Sequence, residues 1–188
     1  MRIRHSHLLA AAALFASAGN SAVHIAIPWL VLEITGSSAN AGVVLGISGF
    51  SVIFTAPIIG GLIAVLGARP VSIWADIISA GSVVLFPIVG SLFGLNLASL
   101  LVIAIVGALF DPAGATARKS LIQAVAEHDG LSLLKFNGTY EAAATIGTVI
   151  GPTGAALAIG FVGINATFYL IAIVFLLASC LAFFIPVV

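Results

Sequence analysis

The sequence predicts an all-α, polytopic membrane protein of six transmembrane helices, and three observations predict it. Of its 188 residues, 62% are hydrophobic and only 6% charged, with a mean hydropathy of +1.31. A soluble domain would carry charge on about a quarter of its residues, so the surface this chain must satisfy is lipid. Apolar runs of hydrocarbon-spanning length also recur along the chain, separated by short turn-rich segments. Finally, seven of the twelve formally charged residues lie between Asp111 and Glu141. Such a polar island between long apolar runs has the layout of an aqueous loop joining two membrane helices. Zero net charge leaves no general basic patch for nucleic acid, and a lone cysteine, Cys180, excludes a disulfide scaffold or a thiolate metal cluster.

Hydropathy and breakers place the spans at residues 8–32, 41–66, 71–93, 97–115, 133–159 and 165–186, within one bundle covering 1–188. The first is interrupted by Gly19, Asn20, Ser21 and His24. Its start also resembles a secretory signal, with Arg2 and Arg4 ahead of an apolar stretch and Ala16-Ser17-Ala18 as a small-residue site. The apolar run resumes at Ala22, however, and a helix over residues 8–32 would extend about 37 Å against a hydrocarbon core of ~30 Å. An uncleaved first span is therefore expected. Turn-rich EITGSSAN, Gly67 to Pro70 and Gly94 to Asn96 separate the spans that follow.

With the N-terminus inside, the inner segments are 1–7, 67–70 and 116–135. All six basic residues (Arg2, Arg4, Arg69, Arg118, Lys119, Lys135) fall in them or at their edges, which is the positive-inside bias. Both termini are thus expected in the cytoplasm, in a plasma (inner) membrane. The second and fifth spans each carry a Pro followed by small residues, at Pro57 and Pro152, a hint of two inverted three-helix repeats.

Glu141 stands two turns into the fifth span, ~10 Å below the interface. Asn137, Thr145 and Thr148 share its face. An acid there is either a group facing an aqueous path or a structural partner of Lys135 or Arg118. Asn20 and His24, one turn apart in the first span, either contact substrate or protons or are satisfied by nearby carbonyls. Asp76 and Asp111, with Arg69 and Arg118, are expected to form ion pairs locking cytoplasmic helix ends, pairs that would double as a gate. Gly147 and Gly151 have the spacing that lets helix backbones approach in lipid, as do Gly42, Gly46 and Gly49. Pro152 lacks the N–H that would bond back one turn, so the helix is expected to bend there. The four histidines are scattered in sequence, and no metal-ligand cluster, nucleotide-binding loop or nucleophile–base set is expected. Nothing argues for an enzyme.

Four segments then carry a resemblance: Ala26 to Ser37 (AIPWLVLEITGS), Ala75-Asp76, Gly107 to Ala113 (GALFDPA), and Gly147-x-x-x-Gly151-Pro152. Over nearly its whole length the chain resembles the N-terminal half of a major facilitator superfamily transporter, in the multidrug and macrolide efflux branch. The resemblance implies a proton-driven exporter of hydrophobic small molecules working by alternating access, with no cofactor beyond the proton gradient. On that reading Asn20, His24, Asn137 and Glu141 are expected on the substrate and proton pathway, Arg69, Asp76, Asp111 and Arg118 in the cytoplasmic gate, and Gly147, Gly151 and Pro152 in a helix-bend motif. Ala64 and Val65 depart from the acid and base usual between the second and third spans, Ala155-Ala156 stand where glycines are usual, and Asn20 stands where relatives often have an acid. Members have about twelve spans in two halves, so the implied partners are the bilayer, a hydrophobic substrate, and the missing C-terminal half or a second half-unit. An inward-running symporter of the same fold, or a non-transporting truncated protein or assembly partner, remain the rival readings.

Overall fold

A computed structural model describes residues 4–51, 53 and 55–185. Arg2 and the expected end of the sixth span at Pro186 lie outside the described residues. Among the described residues eight helices follow in order: α1 (His5–Thr35), α2 (Ser38–Ser51), α3 (Ala56–Leu66), α4 (Ala68–Phe93), α5 (Leu97–Ser120), α6 (Ile122–His128), α7 (Leu133–Val162) and α8 (Ile164–Phe183). No strand occurs among the described residues.

Among the described residues, five helical stretches of 20 to 32 residues are long and apolar enough to cross a bilayer: α1, α4, α5 continuing into α6, α7 and α8. Their outward faces expose Trp29, Trp74, Phe93 and Phe161, apolar area that only lipid or another apolar surface would satisfy. The chain is a multi-pass membrane protein.

Two expectations are corrected. The second span, 41–66, is not one helix but α2 followed by α3. Pro57 sits in the first turn of α3, where its missing N–H falls on a position with no intrahelical partner in any case; it starts a helix more readily than it continues one. The 14 and 11 residues of these helices would extend only about 21 and 16 Å. The polar island, in turn, is mostly helical where an irregular loop was expected. Helix α5 runs on to Ser120, past the expected end at 115, and α6 follows after Leu121. Ile122, Val125 and Ala126, at helical spacing, bury against Leu9, Phe136 and Tyr140, and that burial outweighs the charges around them.

Helix α1 lies at the centre, against α2, α5, α7 and α8. Its inner face is mostly alanine, with Ala12, Ala16 and Ala26 fully buried, so neighbouring backbones come close. The Gly36 N–H closes α1 on the Leu32 carbonyl at 2.8 Å, from the left-handed conformation (φ 65°) that glycine adopts without strain. At the other end, the Ser6 N–H donates to Asp129 Oδ2 at 2.8 Å, so an acid distant in sequence caps a helix start and complements its dipole. Burial pushes the Asp129 carboxyl up, but hydrogen bonds from Ser6, together with His5, outweigh it and hold the group below the ordinary carboxylate range. One core cluster joins α1, α2, α4, α5 and α8 around Phe86 stacked on Phe168, with centroids 4.9 Å apart. A second ties the start of α1 to α6, the start of α7 and the end of α8.

Candidate substrate cavity and charge lock

Helix α4 carries Ser72, Asp76 and Ser79 at spacings of four and three, so all three lie on one face. That face meets α5. The Arg118 Nη1 donates to both Asp76 oxygens, at 2.9 and 2.7 Å, and to Ser72 Oγ at 3.3 Å. Both charged residues are buried, at 2% and 3% exposure for Arg118 and Asp76. Gly114 makes room for this arrangement, since a β-carbon there would lie 3.2 Å from Arg118 Nη2 and 3.3 Å from Ala75 Cβ. Nearer the middle of the bundle, Ser79 Oγ donates to Asp111 Oδ1 at 2.8 Å, and Ser82 Oγ to the Ser79 carbonyl at 2.8 Å.

Above Asp111 lies a cavity of about 450 Å³ between α1, α2, α4 and α5, with Phe175 of α8 at its back. Val23, Ile27, Val83, Phe86 and Ile103 give it an apolar wall; Asn20, His24, Ser48, Ser79, Ser82 and Asp111 supply the polar groups. Asn20 Oδ1 is buried with no hydrogen-bond partner among the described residues. An apolar space with a few convergent polar groups, one an unspent acceptor, has the size and chemistry to hold and orient a small hydrophobic molecule.

The structure therefore brings Asn20, His24 and Asp111 together and pairs Asp76 with Arg118. Other expected members lie elsewhere. Asp111 bonds a serine and not a base. Arg69 forms no ion pair among the described residues; its Nη2 donates to the Phe183 carbonyl, and its guanidinium lies 5.3 Å from the Phe183 ring centroid. Glu141 does not line the cavity. Its Oε1 pairs with Lys119 Nζ at 2.8 Å, a partner outside the two expected, and the side chains are 46% and 57% exposed. Asn137 lines a separate hollow with Lys119, Ile122 and Gln123. Because solvent or headgroups screen so open a pair, a double-mutant cycle on Lys119→Ala and Glu141→Ala, read from unfolding midpoints, is expected to give a coupling of no more than about 1 kcal/mol. Gly147 and Gly151 are buried against α1, and α7 continues as helix through Pro152. A β-carbon added at Gly42, Gly46 or Gly49 would meet nothing within 4 Å, so these three glycines bring no helix close. Ser72, Ser79 and Ser82 escaped the sequence-based expectations, although their spacing about Asp76 in an apolar span was the signal. The histidines are not all scattered in space, since His5 and His128 stand ring against ring.

Comparisons with known proteins agree with this architecture. A family profile described as Major Facilitator Superfamily matches residues 9–188. A multidrug efflux pump Tap of Mycolicibacterium fortuitum is 38% identical over 159 residues, covering 83% of this chain and 39% of the relative. Proteins of the same description from Mycobacterium bovis (strain BCG / Pasteur 1173P2) and Mycobacterium tuberculosis (strain ATCC 25618 / H37Rv) are 35% identical over 171 residues, 89% of this chain and 41% of each relative. The chain thus spans about two-fifths of the length of these curated relatives. With the profile covering all but the first eight residues, the protein belongs to the major facilitator superfamily.

Proposed function

We propose that this chain is the N-terminal, six-span half of a proton-coupled exporter of hydrophobic small molecules that works by alternating access. The observation carrying the reading is the cavity of about 450 Å³ with Asn20, His24 and Asp111 at its polar points. Its similarity to proteins named multidrug efflux pumps favours export over uptake. In this reading α2 and α3 together make the second span, the spans form two inverted three-helix repeats, and both termini face the cytoplasm of a plasma membrane. Asn20 and His24 contact substrate, and Asp111 exchanges the proton in place of Glu141, which pairs with Lys119 outside the cavity. Asp76 and Arg118 lock the inner end of α4 to α5 and part as the cavity changes side. The open glycines of α2 and the exposed Ile146, Val149 and Thr153 of α7 are the faces offered to a second six-span unit.

The test is accumulation of a lipophilic fluorescent dye in cells expressing the gene that encodes this chain, with and without a protonophore. Active extrusion abolished by the protonophore is expected. Asp111→Asn keeps the side chain's shape and its acceptor for Ser79, and should lower extrusion about tenfold or more, the scale of one charge-assisted contact. Glu141→Gln should leave most of it. Dye uptake in place of extrusion, or full extrusion by Asp111→Asn, would refute the direction or the proton site respectively.

A further inference from the structure

His5, in the first turn of α1, and His128 and Asp129, at the end of α6, meet across more than a hundred residues of sequence. The two imidazole rings stand edge to face with centroids 4.8 Å apart. One candidate ligand atom from each of the three side chains lies within 4.8 Å of the other two. None of the three lines the cavity, and the transport reading makes no use of them. The structure assigns to this end of the bundle a site for one divalent transition-metal cation of the zinc class, held by His5, His128 and Asp129.

Donor chemistry sets the class. Two imidazoles and a carboxylate suit zinc and its neighbours, whereas magnesium and calcium prefer all-oxygen shells. Three protein ligands leave a fourth tetrahedral position for water. Around zinc, with bonds of about 2.0–2.2 Å, ligand atoms stand about 3.4 Å apart. The cluster must close by roughly 1.4 Å at its widest, within reach of side-chain rotation because His5 and Asp129 are half-buried and His128 is exposed. A second observation is independent of this clustering: His5 Nδ1 is buried with no hydrogen-bond partner among the described residues. A cation coordinated through that nitrogen would supply the missing partner. The carboxylate is already oriented, since Asp129 Oδ2 accepts from the Ser6 N–H, the kind of outer hydrogen bond that fixes metal ligands. Bound metal would clamp the start of α1 to the joint between α6 and α7.

The experiment is equilibrium dialysis of the full chain in detergent micelles against buffered free Zn²⁺, with excess Mg²⁺ present throughout. One equivalent of zinc per chain is expected. His5→Ala and His128→Ala should each weaken binding by about tenfold or more, while the exposed neighbour His7→Ala keeps wild-type affinity. Circular dichroism of each variant separates lost binding from lost helix, and X-ray absorption of the wild type should show an oxygen and nitrogen shell with two imidazoles. Absence of bound zinc, retention of wild-type affinity by folded His128→Ala, or a sulfur scatterer from Cys180 would each overturn the assignment.

Discussion

Arg118→Leu is expected to be the most damaging single change in the chain, lowering stability by about 3–5 kcal/mol. The guanidinium is what allows Asp76 to remain charged where water does not reach, and both of its short bonds to that carboxylate would vanish at once. The cost is chiefly that of the charge left behind, and a comparison with a second variant shows it. Asp76→Asn combined with Arg118→Leu removes both charges, leaving an amide that can turn toward Ser72 Oγ. That double variant should recover most of the loss, because a buried ion pair contributes little beyond what an uncharged replacement of similar shape provides. Denaturant titration of the three proteins in micelles checks the ordering; an Arg118→Leu protein as stable as the wild type would show that the pair is wet. If the pair also serves as the proposed lock, the double variant should fold yet lose the energetic preference for one side of the membrane.

The contrast between this pair and the other ionisable groups explains what could be read from the sequence. Long apolar runs made α1, α4, α5, α7 and α8 legible, since no other fold satisfies so much apolar surface and so little charge. Charge counting gave a loop at 116–132, where Ile122, Val125 and Ala126 already spelled a helix face among the acids and bases beside them. Arg118 belonged by hydropathy to an aqueous segment, and only the turn it completes beneath Asp76 brings it inside. Which acid meets which base depends on how α4 and α5 rotate against each other, and no spacing within either helix encodes that. The same limit applies to Glu141 with Lys119 and to His5 with His128. Asn20 and His24, one turn apart, were legible as a shared face; that Asp111 joins them across the bundle was not.

The second large effect is expected where α7 crosses α1. A β-carbon at Gly147 would overlap the Leu14 carbonyl oxygen, and one at Gly151 would overlap that of Ala18. These obstacles are backbone atoms on a helix held by neighbours on several sides, so they cannot swing away as a side-chain tip would. Either the two helices separate along the contact or α1 bends. Gly151→Ala should therefore cost about 1–3 kcal/mol, the usual scale of overpacking, and Gly147→Ala a similar amount. Gly154 sits on the same helix with nothing within 4 Å of the same position. Gly154→Ala gains the helix preference of alanine, roughly 0.5–1 kcal/mol, without a clash. One substitution, made at two sites three residues apart, should thus change sign with the face it occupies. Unfolding midpoints for the two variants decide the point: equal shifts in the same direction would mean that α7 does not press its glycines against α1. Gly151→Leu, too large for any small adjustment, should prevent the α1–α7 contact altogether and collapse the hollow that Leu14, Ala18, Gly151 and Ala155 share. Since α1 also carries Asn20 and His24 to the cavity, a displaced α1 would rearrange the cavity's polar points even though residue 151 lies outside the cavity wall.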